Sequence, residues 1–198
     1  EVHIKTENQL SEATSFHWHG VKLPSDMDGG PHHPVGPNET MQVDFTVNQE
    51  AATLWFHPHA LGTTAEQVYA GLAGLIFVED DNSDQLDLPK DYGVNDFPLI
   101  IQDRTFDADN QFDYAGTYNP DGTYGDTLLI NGTINPYVEV TNELVRLRLV
   151  NGSNARNYTF GLENGAVFNQ IASDGGFLEQ PVALKSVTLT PGERAEII

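Results

Sequence analysis

The sequence contains no cysteine. That excludes a disulfide framework, a zinc finger and a thiol nucleophile within these residues, and leaves the redox compartment unread. No apolar run approaches the about 18 residues that a membrane-spanning helix needs. Basic residues are scarce: 9 Lys+Arg stand against 29 Asp+Glu, a formal net charge of −20. Long-range repulsion at that charge excludes a general affinity for DNA or RNA phosphate. What remains is a 198-residue chain, 39% hydrophobic and 10% aromatic, which is enough for a packed core and too much for disorder.

The pattern is that of an all-β protein. Val2-His3-Ile4-Lys5-Thr6, the stretch Thr40 to Val47, and Val145-Arg146-Leu147-Arg148-Leu149 alternate apolar and polar residues, as half-buried strands do. Leu75-Ile76-Phe77-Val78 and Leu99-Ile100-Ile101 are continuous apolar runs, as buried strands show. Asp-Gly and Asn-Gly turns separate the runs. The best helix candidate, Thr63 to Ala70, is short. Many short strands at turn-to-turn spacing predict a β-sandwich or barrel. The acid is concentrated in residues 79–126, with thirteen acidic and two basic side chains in an Asp/Asn/Gly/Pro-rich stretch. That composition reads as connector and loop. Asp107, Asp109 and Asp113 start like a calcium loop, but Phe112 stands where the sharp turn needs glycine.

An internal repeat divides the chain. The segment from Val2 aligns with that from Val145, so Asn8 falls on Asn151 and His17 on Phe160. Pro37-Asn38-Glu39 aligns in the same way with Pro191-Gly192-Glu193. Two β-domains of one kind are expected: residues 1–78, an acidic connector 79–96, and residues 97–198. The first begins inside a strand and the second ends soon after Pro191, so a piece of a longer protein is expected.

The chemistry lies in the histidines. His17-Trp18-His19 and His57-Pro58-His59 form two HxH pairs. Residues i and i+2 of a strand share a face, with side chains roughly 6–7 Å apart. Two such strands side by side would gather four imidazoles on one surface. Imidazole without thiolate suits copper, zinc, iron or nickel. The second repeat has Phe160 and Leu162 at the places of His17 and His19, so the scaffold itself does not require histidine there. His32 and His33 sit in a Gly/Pro-rich loop and read as exposed, as does His3 on the polar side of its strand. Met27 and Met41 are isolated and make no thioether site. Asp28, nine residues after His19, is either a turn residue or a proton donor near metal-bound water.

With both HxH pairs in place, the chain resembles the multicopper oxidases. SFHWHG, DGGP and LWFHPHALGTTAEQVYAGLAGLIFVED are similar to the family's N-terminal copper motifs. DFPLIIQDR, GDTLLINGTINP, RLRLVNGSNARNYTF and ASDGGFLEQPV are similar to its second domain. The likeness leans to the bacterial cuprous-oxidase branch, with bilirubin-oxidase-like and spore-coat laccases as relatives. It implies tandem cupredoxin-like Greek-key domains, the second incomplete here. It implies a trinuclear copper cluster between the first and third domains, and a type 1 copper in the third. By motif, His17 would bind the type 2 copper, His19 and His57 one type 3 copper, and His59 the other. Asp28 would relay protons. A reducing substrate, cuprous ion or phenol-like, would give electrons for the reduction of dioxygen to water. The third domain's HxH, HCH and type 1 motifs are absent, so these residues alone are expected to be inactive.

Two other readings compete. A non-catalytic cupredoxin-like relative in the cell envelope should bind no copper stoichiometrically. A cupin or zinc hydrolase would use the histidines otherwise, but Leu23 stands where a cupin places glutamate after its HxH. Family resemblance implies a periplasmic, cell-surface or secreted location.

Overall fold

The computed structural model describes residues 1–141 and 144–198. In chain order the strands begin with β1 (Val2–Glu7), β2 (His17–His19), β3 (Thr40–Phe45), β4 (Ala52–His57) and β5 (Gly74–Val78), with helix α1 (Thr64–Tyr69) before β5. Helix α2 (Asp81–Gln85) leads to β6 (Asp96–Arg104), then α3 (Tyr114–Thr117), β7 (Thr127–Ile130) and β8 (Thr133–Ile134). The rest is β9 (Arg146–Asn151), β10 (Tyr158–Gly161), β11 (Phe168–Ser173), β12 (Gly176–Leu184), β13 (Ser186–Leu189) and β14 (Arg194–Ile197).

Among the described residues the strands form four sheets. Two are two-stranded, β1-β3 and β10-β13. A three-stranded sheet, β2-β4-β5, carries His17, His19 and His57, and a seven-stranded sheet runs β12-β11-β14-β9-β6-β7-β8. Pairing is antiparallel throughout except between β6 and β9. The second core packs Ile101, Leu149, Phe168, Leu189, Ala195 and Ile197 together, the inward positions that alternation selects. In the first repeat Val43, Leu54 and Trp18 are buried, and Trp55 is buried on the opposite face of its sheet, beside the histidines.

The sequence repeat has a structural counterpart. The Asn8 amide donates to the carbonyls of Glu12 and Val35, and its Oδ1 accepts from Leu10 N–H. Asn151 does the same with Arg156, Leu189 and Ser153. Asn8 and Asn151 each pair through their backbone with the matching turn, at Asn38/Glu39 and at Gly192/Glu193. Those turns need a left-handed residue, Asn38 at φ 60° and Gly192 at φ 87°. Each buried asparagine thus satisfies a loop's backbone from its own side chain.

The acidic stretch differs from expectation. Asp80 caps α2 by accepting from Ser83 N–H at 2.7 Å, while Ser83 Oγ accepts from Asp80 N–H at 2.9 Å. This reciprocal box organises a helix where composition alone predicts loop. A further short helix, α3, also falls in this stretch, while α1 lies within the predicted span.

A buried ionic group joins the two larger sheets. Glu196 on β14 accepts from Arg146 Nε at 2.8 Å and from its terminal nitrogen, and from Thr53 Oγ1 of β4 at 2.7 Å. Arg148 clasps Asp96 with bonds of 2.6–3.1 Å and donates to Thr53 at 3.1 Å. All five residues are at most 5% exposed. Buried charges persist only when paired and hydrogen-bonded, as these are.

Candidate metal centre

The register of β2 and β4 places His17 opposite His57 and His19 opposite Trp55. Alternation then turns Trp18 into the core and both histidines to the other face. His59 departs from the simple strand reading: β4 ends at His57. Pro58 offers no N–H to extend the ladder. The His59 backbone is instead held by Ser15, whose Oγ accepts from His59 N–H at 2.8 Å.

The four rings nonetheless cluster. His17 lies 5.6 Å from His19, 5.2 Å from His57 and 5.1 Å from His59, between ring centroids. His17, His19 and His57 each offer a nitrogen, all within 4.8 Å of one another. His59 stands outside that tight triad, its ring 5.9 Å from that of His57, with a buried Nδ1 that has no hydrogen-bond partner. His32, His33 and His3 are exposed, as their loop and strand positions predict.

Neighbours set the tautomers. A carbonyl can only accept, so His57 Nδ1–H donates to its own neighbour Pro58 O at 2.8 Å, leaving Nε2 with its lone pair. His17 Nδ1–H likewise donates to Asp28 O at 3.1 Å. Asp28 Oδ1 is equally near at 3.1 Å, but the bond geometry favours the carbonyl, and this buried carboxylate oxygen has no hydrogen bond of its own. Such a contact fixes ring orientation and raises donor strength. His19 presents Nδ1, 3.1 Å from His57 Nε2. Two nitrogens each about 2 Å from one tetrahedral ion lie about 3.3 Å apart, close to this spacing.

Burial favours the neutral form of two of these rings. It holds His19 and His57 at about 4, below the ordinary 6.5, and the Arg194 charge adds to the effect on His19. Neutral imidazole is the form that binds metal. Trp55 packs at a tilt against His57 and His19, with ring centroids 4.3 Å and 5.3 Å apart. A cleft of about 320 Å³ opens beside these rings, lined also by Ser153 and Gly192 from the second repeat. Sequence reasoning missed Ser15, Pro58 O and Gly192. Only Pro58 carried a signal, as the residue between two histidines.

A cluster of imidazoles on an all-β scaffold defines a β-protein with a site that could hold a metal ion. Comparison narrows the class. A family profile described as multicopper oxidase matches residues 1–83. The chain is 47% identical over 198 residues to the multicopper oxidase mco of Staphylococcus epidermidis, covering all of this chain and 44% of that protein. It is 43% identical over 203 residues to the cell division protein FtsP of Escherichia coli, covering 42% of it. The crystal structure of a laccase from Pediococcus acidilactici superposes with a TM-score of 0.96 at 46% identity, over 98% of this chain and 42% of that one. The chain belongs to the multicopper oxidase family, with its cupredoxin-like fold. It spans less than half the length of these relatives.

Proposed function

We propose that this chain supplies half of the ligand set of a trinuclear copper cluster in an oxidase. The observation that carries the reading is the gathering of His17, His19 and His57, whose nitrogens lie within 4.8 Å of one another, with the His59 ring 5.1 Å from that of His17. The residues fit the group: burial favours neutral His19 and His57, their spacing suits a shared ion, and His59 Nδ1 is buried without a partner. His17 would hold the type 2 copper, His19 and His57 one type 3 copper, and His59 the other. Copper there supplies one-electron redox chemistry toward dioxygen.

The chain's own residues do the rest. Asp28 O and Pro58 O hold the rings of His17 and His57 in one tautomer. Trp55 and the buried β4 strand exclude water from one side. Asp28 Oδ1 is the group placed to hold and release protons, of which four are consumed per dioxygen reduced to two waters. Residues 1–78 and 97–198 are two cupredoxin-like units joined by 79–96. The remaining cluster ligands and the type 1 copper belong to the longer protein. The reducing substrate is a cuprous ion or a phenol, and by itself this half-set turns nothing over. Among the described residues, no helix is long and apolar enough to cross a membrane. A periplasmic, surface or secreted setting suits a copper oxidase.

A second reading, a non-catalytic relative in the cell envelope, predicts no stoichiometric copper; the chain is also similar to a protein named for cell division. Measuring copper by elemental analysis and oxygen uptake in the natural full-length protein separates the two. The oxidase reading predicts stoichiometric copper that falls when His57 is replaced by alanine. Absence of bound copper, or copper unmoved by that change, overturns it.

A further inference from the structure

The face of His19 away from its own sheet is walled by the second repeat, and one arginine holds that wall in place. Arg194 on β14 has a side chain only 4% exposed. Its guanidinium donates to Gly192 O at 3.0 Å, Asp174 O at 2.8 Å and Thr53 O at 3.2 Å, and lies 3.2 Å from Asp174 Oδ1. These acceptors come from three separate elements: the turn before β14, the turn after β11, and β4 itself. Few side chains other than a planar fork with five donors could satisfy all of them at once.

Two glycines show how closely this clamp approaches the histidine. A Cβ on Gly20, the residue after His19, would lie 2.9 Å from an Arg194 terminal nitrogen. A Cβ on Gly192 would lie 3.3 Å from His19 Cε1 and 3.8 Å from Trp55 Cζ2. The turn held by Arg194 therefore lies against the edge of the His19 ring. The matching turn of the first repeat, around Asn38, carries no arginine, since Met41 lies one residue beyond the place of Arg194, which Thr40 fills.

We propose that Arg194 is a positioning residue for His19, setting its ring from across the interface between the repeats. It presses the 190–193 turn onto the ring edge and ties that turn to β4, the strand that ends in His57. On this account the second repeat shapes the metal site and does not merely space it. The inference rests on the reading of His19 as a copper ligand.

The test uses the natural full-length protein with 15N-labelled histidine, as wild type, Arg194→Met, Arg194→Lys and Arg146→Met. Copper(II) titration and the imidazole nitrogen spectrum of the metal-free protein are the readouts. Arg194→Met should weaken copper binding by about 10–100-fold, the range for loss of a group that orients a ligand. It should move the His19 ring signals and leave those of His59 in place. Arg194→Lys keeps the charge but loses the fork, so it should restore folding while leaving His19 displaced; it is read alone if the methionine variant does not fold. Arg146→Met, in the other buried cluster, should lower stability without moving the His19 signals. Unchanged His19 signals and unchanged affinity in Arg194→Lys, in a wild type that does bind copper through the four histidines, overturn the inference. A wild type that binds no copper there overturns the functional reading instead. The His19 signals of the metal-free protein would still report whether Arg194 sets the ring.

Discussion

Replacing Glu196 by glutamine removes one charge and changes almost no volume. The consequences follow from its contacts. Glu196 is 2% exposed and accepts from both Arg146 donors and from Thr53, with an Arg148 terminal nitrogen 3.7 Å away. In the variant, one acceptor oxygen becomes an NH2 group that must face a donor. Two buried guanidinium groups are then left with Asp96 as the only carboxylate within 4.0 Å of them among the described residues. Breaking a buried pair in this way costs about 3–5 kcal/mol. For a chain of this length that corresponds to a fall in Tm of roughly 6–20 °C, at about 2–4 °C per kcal/mol. Urea denaturation followed by tryptophan fluorescence reports it directly, because Trp18 and Trp55 are both buried. The same reasoning makes Thr53→Val costly, since its hydroxyl serves Glu196 and Arg148 together. A loss below about 1 kcal/mol for Glu196→Gln would refute the reasoning, because it would place the cluster among exposed ion pairs.

Three further outcomes are expected. His19 and His57 are held at about 4 against an ordinary 6.5, so between those values the unfolded chain binds protons that the folded chain refuses. Stability of the metal-free protein should therefore fall as pH drops from about 6.5 to about 4, and a His57→Asn variant should show a shallower fall; coincident curves would contradict this. Gly29 sits at φ 60° with its missing Cβ directed at the Phe16 carbonyl. Gly29→Ala should cost more than about 1 kcal/mol and shift the His17 ring signals as Asp28 moves, and an unaltered spectrum would count against that coupling. Asp28→Asn keeps the carbonyl that orients His17 but cannot cycle a proton. Copper content should stay near wild type while oxygen uptake falls about 10²–10⁴-fold; equal loss of both would make Asp28 an orienting residue only.

The parts of this account legible in the sequence are those set by local periodicity. HxH on an alternating strand puts two imidazoles on one face, and the antiparallel register of β2 and β4 needed only that the two pairs be neighbours. Asn8 and Asn151 were visible as aligned positions, though not as side chains that feed loop carbonyls. His59 was harder, because Pro58 ends the strand and Ser15, 44 residues away, takes over the backbone. The arginine clusters were invisible for the same reason. Arg148 and Thr53 are 95 residues apart and Arg194 and Thr53 are 141 apart, and no spacing rule reaches across two sheets. The helix at Asp81 was masked by a composition that favours loops, although Asp80 and Ser83 form a readable cap.

The most direct test of the central claim is anomalous diffraction at the copper edge from copper-loaded crystals of the natural full-length protein. The account predicts peaks within bonding distance of His17, His57 and His59, and of Nδ1 of His19. Copper found instead at exposed sites such as His32 and His33, with none bound among the four clustered rings, would contradict it.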